Sequence, residues 1–231
     1  MVLLAAADTA ATAVPSVFDG TASTVAVVVL LLEFGMLRAA LLRSQVHLYT
    51  VQSLAVSVLA VVVAAGRDIP ELYVLAGLSF LLKAVIVPWV VLRLLRDARA
   101  DIAGSGALGV ASEVVLSIVV AGFGFFAFGT LGISSSVLPT AALSVSVAVI
   151  LVAFMLMILR RDVVSQAIGF FSLENGISVA SLVVAAGMPL ILEVAFLFDL
   201  LVAVVVFGVL MRVHHGRTHT LSTTQLDRLR G

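Results

Sequence analysis

The chain contains no cysteine. That excludes disulfides, and it excludes any iron–sulfur or nickel centre held by thiolates of this chain. Charge is scarce as well. Of 231 residues, 11% are Asp, Glu, Lys or Arg, where a soluble domain carries about 25%. Thirteen basic and 13 acidic residues leave no formal net charge, so nothing in the charge balance suggests a nucleic-acid partner. Of the 4 histidines, only His47 lies in or near an apolar run, so a haem held between two histidines in a membrane is not expected here. His215 and His219 have the i,i+4 spacing of a metal pair, but with His214 they sit in a basic stretch beside the last apolar run, and no metal is expected. No Ser/His/Asp nucleophile set or phosphate loop is present, so no catalytic residue is expected. The first twenty residues include Asp8 and Asp19 and no basic residue, which makes them a poor secretory signal and a polar-flanked lead-in instead.

Apolar residues fill the space that charge leaves. They make up 62% of the chain, and the mean hydropathy is +1.27. A soluble fold of this length could not hide so much apolar surface, so lipid is the expected solvent for most of it. A helix needs about 20 apolar residues to cross a hydrocarbon core of about 30 Å. Seven stretches qualify: Thr21–Leu42, Gln45–Ala65, Glu71–Leu95, Gly109–Ile133, Thr140–Leu159, Val163–Ala186 and Pro189–Val213. Between them lie Gly66–Pro70, the Gly- and Ser-rich 103–109, Ser134–Pro139 and the tight Gly187–Pro189 turn. Pro189 suits a first helical turn, where its missing N–H costs nothing. The β-branched runs Val25–Leu32 and Val56–Val63 would suggest strands in water, but their length favours membrane helices.

The basic residues set an orientation. Arg38, Arg43, Arg93, Arg96, Arg99, Arg160, Arg161, Arg212, Arg217, Arg228 and Arg230 fall on one side, and Arg67 alone falls on the other. By the positive-inside rule the N-terminus is outside and the C-terminus inside. The fold class expected is therefore an all-α integral membrane protein with about seven transmembrane helices, multi-pass in the cytoplasmic (inner) membrane of the cell. It reads as one membrane domain: a lead-in (1–20), a four-helix part (21–133), a three-helix part (140–213) and a cytoplasmic tail (214–231).

Five ionisable residues interrupt the apolar runs. At 1.5 Å of rise per residue, Glu33 and Lys83 lie roughly 18 Å from the outer ends of their helices, Glu174 roughly 16 Å from the inner end of its helix and Asp199 roughly 15 Å from an outer end, so all four approach the midplane. Glu193 is shallower, at roughly 6 Å. Each costs at least about 2.5–3.5 kcal/mol on insertion scales, so a shared polar layer across the bundle is the economical arrangement. Burial disfavours the charged form of an ionisable group and a nearby opposite charge restores it; groups able to swap between these settings can take and release protons. Glu174 and Asp199 are expected to face each other across a short hairpin, with Asn175, Ser172, Ser178 and Ser181 supplying hydrogen bonds, Glu193 offering an outer exit and Lys83 answering the charge on either carboxyl. Pro88 should kink its helix just past Lys83 and free a backbone carbonyl beside the amine. Arg38 is placed to neutralise Glu33, and Glu113, near an inner helix end, to snorkel to water. A plainer reading stays open, because buried Glu–Lys pairs and Asn or Ser side chains also join helices without moving anything. Gly122, Gly124, Gly129 and Gly132, set among phenylalanines, suit close helix packing better than ligand binding.

Segments across nearly the whole chain resemble a known family. "LYTVQSLAV" (48–56), "FLLKAVIVP" (80–88), "GFFSLENGIS" (169–178), "MPLILEVAFLFDLLVAVVV" (188–206) and "RTHTLSTTQLDRLRG" (217–231) are similar to component E of hydrogenase-4 and formate hydrogenlyase-type complexes, a membrane-arm subunit of group 4 energy-converting [NiFe] hydrogenases. The Leu-Glu-Asn-Gly step at 173–176, followed by Pro189, Glu193 and Asp199, carries most of the likeness. The last three spans also resemble the K subunit of complex I and the C subunit of multisubunit cation/proton antiporters. In that comparison Glu174 and Asp199 take the two membrane glutamates, although position 199 holds Asp and the spacing from Arg160-Arg161 to Glu174 is about one turn longer.

The resemblance implies a non-catalytic subunit of a proton-pumping arm, with a relay of Glu174, Asp199, Lys83, Glu193 and Glu33 supported by Asn175, Gly176, Pro88 and Pro189. It implies no cofactor in this chain, with Fe–S and NiFe centres in partner subunits. The implied partners are antiporter-like and complex I-like membrane subunits, a cytoplasmic redox module and the lipid bilayer. A C-type antiporter subunit and a structural scaffold remain alternatives.

Overall fold

The computed structural model describes residues 17–98, 102–103, 106–130, 140–184 and 190–218. The helices are α1 (Val17–Arg38), α2 (Leu42–Arg67), α3 (Pro70–Ser79), a π-helical segment (Phe80–Ile86) running straight into α4 (Val87–Ala98), α5 (Val110–Gly129), α6 (Thr140–Leu159), α7 (Val163–Val184) and α8 (Leu190–Thr218). Among the described residues there is no strand, only isolated bridges pairing Leu41 with Ile102 and Gly106 with Arg160. Among the described residues, six helical stretches are long and apolar enough to cross a membrane: Gly20–Arg38, Leu42–Gly66, Pro70–Arg96, Ala111–Gly129, Ala141–Leu159 and Val163–Val184. The protein is thus an all-α, multi-pass membrane protein. The seventh expected span falls on α8. Pro189 and the turn before it lie outside the described residues, as do Gly132, His219 and most of the lead-in. α8 itself runs on to Thr218, into the first residues of the expected tail.

The first two spans divide where hydropathy alone does not show it. Apolar residues run through the junction, yet α1 ends at Arg38 and Leu41 is extended, with φ −103° and ψ 128°. Gln45 explains the break. Its Nε2 donates to the carbonyls of Met36 (3.3 Å) and Ala39 (3.2 Å), satisfying groups that a helix end leaves without partners. Its Oε1 accepts from Ser165 Oγ at 2.8 Å. Asp162 caps α7 by accepting from Ser165 N at 2.7 Å, the usual role of an aspartate in that position. Arg160 is buried, and its Nη2 donates to the Leu37 carbonyl. One of the arginines counted for orientation therefore also ties α6 to α1. Glu113 does not reach out to water as expected. It is buried under the chain at 106, where a Cβ on Gly106 would lie 1.6 Å from its Oε1.

The centre of the molecule is the α6–α7 pair. α5 and α1 lie against α6; α2 lies against α7 and α1; α3, the π segment and α4 lie against α2; and α8 reaches α3, α4 and α7. The first-half helices therefore pack directly on α6 and α7. Two glycines permit the close α6–α7 approach. A Cβ at Gly169 would meet Met157 Cγ at 2.7 Å, and one at Gly176 would meet Ile150 Cγ1 at 2.8 Å. Gly124 has the same role between α5 and α6, against Leu151, whereas Gly122 faces open space. Large apolar side chains cover much of the outside of the bundle as well as its core. Phe123, Phe126, Val74 and Ile158 are each about two-thirds exposed, while Glu33, Gln52, Lys83, Glu174 and Asn175 are buried.

Candidate functional site

Lys83 enters the core from an unusual stretch of backbone. Pro88 has no N–H, and its ring would crowd the carbonyl four residues earlier in a regular helix. The helix widens just before it. The Val87 N–H bonds the Leu82 carbonyl, five residues back, and the π turn carries Lys83 at its middle. A widened turn changes the direction in which the side chain leaves the helix. Upstream of Pro88 the helix takes a π form, and the carbonyl that Lys83 reaches is that of Glu174 on α7.

Lys83 Nζ donates to Ser178 Oγ at 2.7 Å and to the backbone carbonyl of Glu174 at 3.2 Å; Ser178 Oγ in turn donates to that carbonyl at 2.7 Å. An ammonium has three donors, so one is left for the adjoining cavity. This cavity is about 50 Å³ and is bounded by Lys83, Glu174, Ser79, Ser178 and Ser181 on its polar side and by residues such as Val56 and Leu197 on the other. One water needs about 10–15 Å³ on this measure and two to four polar partners, so the space suits a few waters. Ser181 Oγ is buried with no protein partner and is available to such water. Lys83 hydrogen-bonds the main chain and Ser178 of α7, and the Glu174 side chain borders the same cavity. The charges acting on that carboxyl are those of Lys83 and Asp199.

The sequence-selected residues divide accordingly. Lys83 and Glu174 meet, whereas Asp199 is exposed on α8, outside the lining of their cavity, and its charge bears on Glu174 alone. The side chain of Glu193 lies outside the described residues. Gly176 is a packing residue at the α6 contact. Glu33 belongs to a second cluster. It is fully buried, and Arg38, at the exposed end of its helix, does not neutralise it. Its Oε2 instead accepts from Gln52 Nε2 at 2.9 Å and from Ser172 Oγ, while Oε1 has no partner. Asn175 Nδ2 donates to Gln52 Oε1 at 3.0 Å and to Ser53 Oγ at 2.9 Å. Gln52, Ser53 and Tyr49 were not singled out from the sequence. Their signal is the i, i+3, i+4 spacing in "YTVQS", which puts all three on one face of α2.

α7 separates the clusters. Ser172 and Asn175 face α1 and α2, whereas Glu174 and Ser178 face the π segment. One turn of helix thus carries polar groups to two sides. Among the described residues no group of three or more His, Cys, Asp or Glu is placed to hold a metal ion.

No family model matches the chain. No solved structure matches it. It is 32% identical over 175 residues to uncharacterized protein Rv0085 of Mycobacterium tuberculosis (strain ATCC 25618 / H37Rv), a match covering 71% of this chain and 74% of that one. At that identity and coverage, the chain belongs to the family of uncharacterized protein Rv0085.

Proposed function

We propose that this protein is a non-catalytic membrane-arm subunit of a complex I-like energy-converting hydrogenase or related oxidoreductase, and that it contributes to proton translocation. The observation that carries the reading is the meeting of Lys83 and Glu174 at one cavity between helices, beside Ser79, Ser178 and Ser181, with the charge of Asp199 bearing on the carboxyl. Ionisable groups in a bilayer core are costly and mark ion or proton pathways by default. The resemblance of residues 48–56, 80–88, 169–178 and 188–206 to hydrogenase-4 component E supplies the kind of complex.

In this reading seven helices span the cytoplasmic membrane, with the N-terminus outside and the C-terminus inside. The relay is Glu174 and Lys83 at the centre, with Asp199 and Glu193 along α8 and Glu33 to the side. The Fe–S and NiFe centres belong to partner subunits in a cytoplasmic redox module. Proton uptake by the Glu174 carboxylate removes a negative charge beside Lys83, which weakens the hold on the lysine proton; release from Glu174 restores it. The pair therefore titrates as a unit, and charge arriving from a neighbouring subunit shifts it in either direction.

Affinity purification of the full chain from its native membrane, with identification of co-purifying subunits, tests the reading. Recovery of antiporter-like membrane subunits together with a redox module supports it. Antiporter-like subunits alone, with sodium-dependent transport, would replace it by the antiporter alternative.

A further inference from the structure

The Glu33 cluster makes more contacts than an ionised Glu33 has hydrogens to fill. Ser172 Oγ touches Glu33 Oε2 and also lies 2.8 Å from Gln52 Oε1. A hydroxyl carries one hydrogen. Beside a carboxylate, both neighbours of Ser172 could only accept, and the two contacts would claim that one hydrogen. Shared between them, it would be poorly aligned with both. Turning the Gln52 amide over supplies no other. Its Nε2 donates to the Val29 carbonyl at 3.1 Å and to Glu33 Oε2 at 2.9 Å. A carbonyl only accepts, so the nitrogen stays on that side. Gln52 Oε1 therefore faces Ser172 and takes the Asn175 Nδ2–H at 3.0 Å. The Glu33 carboxyl is the remaining source of a hydrogen.

Charge points the same way. A buried carboxylate is costly unless it is paired and fully hydrogen-bonded. Glu33 is fully buried, and the helices packed on α1 are α2, α5, α6 and α7. α6 holds no ionisable residue, while α5 and α7 offer Glu113 and Glu174, which are acids themselves. On α2, Arg43 and His47 are exposed, Tyr49 brings no positive charge, and Arg67 is the last residue of the helix. Lys83 is engaged with Ser178 and the Glu174 carbonyl, on the other side of α7. Glu33 Oε1 has no hydrogen-bond partner among the described residues. That suits the carbonyl oxygen of an acid better than half of a carboxylate, because an unpaired charge costs more to bury than an unpaired dipole.

We infer that Glu33 is a proton-binding site, filled in the resting protein: a neutral carboxylic acid whose Oε2–H donates to Ser172 Oγ, while Ser172 donates to Gln52 Oε1. Each contact then has its own hydrogen, and one proton closes a chain from α1 through α7 to α2. Loss of that proton turns the Ser172 hydrogen back to Glu33 and leaves Ser172 Oγ and Gln52 Oε1 facing each other as two acceptors. Glu33 thus stores a proton and, by holding it, ties three helices together. The inference stands independently of the Lys83–Glu174 relay.

Infrared spectroscopy of the purified full chain tests it, in a maltoside detergent whose lack of ester carbonyls leaves the carboxylic acid region clear. At neutral pH the difference between wild type and Glu33→Gln should contain the carbonyl stretching band of a protonated carboxyl group. Ser172→Ala removes the acceptor of the acid proton and should move that band to higher wavenumber. If Glu33→Gln does not fold, glutamate labelled isotopically at the side-chain carboxyl picks out the glutamate bands, and the acid band that Ser172→Ala moves is that of Glu33. Loss of carboxylate bands in place of an acid band, or an acid band that Ser172→Ala leaves unmoved, would overturn the inference.

Discussion

Glu33 and Glu174 are both buried carboxyls, but their company differs, and so do the expected consequences of disturbing them. Glu33 sits among amides and hydroxyls of two other helices, α2 and α7, which makes its cluster a source of stability. Interhelical hydrogen bonds in membrane proteins average about 0.6 kcal/mol and reach about 1.7. Asn175→Ala removes two and should cost about 1–2 kcal/mol, read as a lowered thermal transition in detergent. Glu174→Gln leaves the bonds of Lys83 and Ser178 to α7 in place, because both use the Glu174 backbone carbonyl; its transition should stay near wild type. At this scale the sequence revealed which residues stand apart better than what they face. Lys83, Glu174 and Asp199 were legible because charge in an apolar run stands out. The partners of Glu33 were not, because Gln52 and Ser53 barely dent hydropathy and their facing depends on how helices distant in sequence rotate against one another. Proximity in sequence pointed to Arg38, five residues on, which is not on the same helical face.

Helices carry the next set of consequences. The π segment exists because Pro88 follows it. Pro88→Ala restores a donor and permits a regular helix, which redirects Lys83 by a shift in register. We expect proton translocation to fall while the thermal transition holds or rises, since a helix-interior proline costs about 3 kcal/mol relative to alanine. A parallel fall in both would mean that Pro88 serves stability alone. Gly176→Val tests packing. Its Cβ would lie 2.8 Å from Ile150 Cγ1 and 3.2 Å from Ile150 N, and overpacking typically costs about 1–3 kcal/mol, seen as a lower transition and poorer yield of folded protein. Gly176 stood out in the sequence for its place beside Glu174 and Asn175, but its contact is with the opposite neighbour, α6. Helix existence was readable from run length throughout. The break at 39–41 was not, because it depends on a glutamine side chain from the following helix reaching back to cap its predecessor.

The molecule is a helical bundle that exposes large apolar side chains and holds a few polar groups within a mostly apolar interior. Its lack of cysteine makes orientation directly measurable, because any introduced thiol is the only one. Glu71 and Arg96 mark opposite ends of one span, and both are exposed. In intact cells a membrane-impermeant maleimide should label Glu71→Cys, and Arg96→Cys only after permeabilisation. The reverse pattern would invert the proposed topology. The central claim is that Lys83 and Glu174 carry protons within their shared cavity. The most direct test is proton translocation per turnover in membrane vesicles holding the assembled complex, compared for wild type, Glu174→Gln and Glu174→Asp. The account predicts that Glu174→Gln pumps a small fraction of the wild-type protons at normal assembly and that Glu174→Asp recovers part of the loss. Full pumping by a normally assembled Glu174→Gln complex would contradict it.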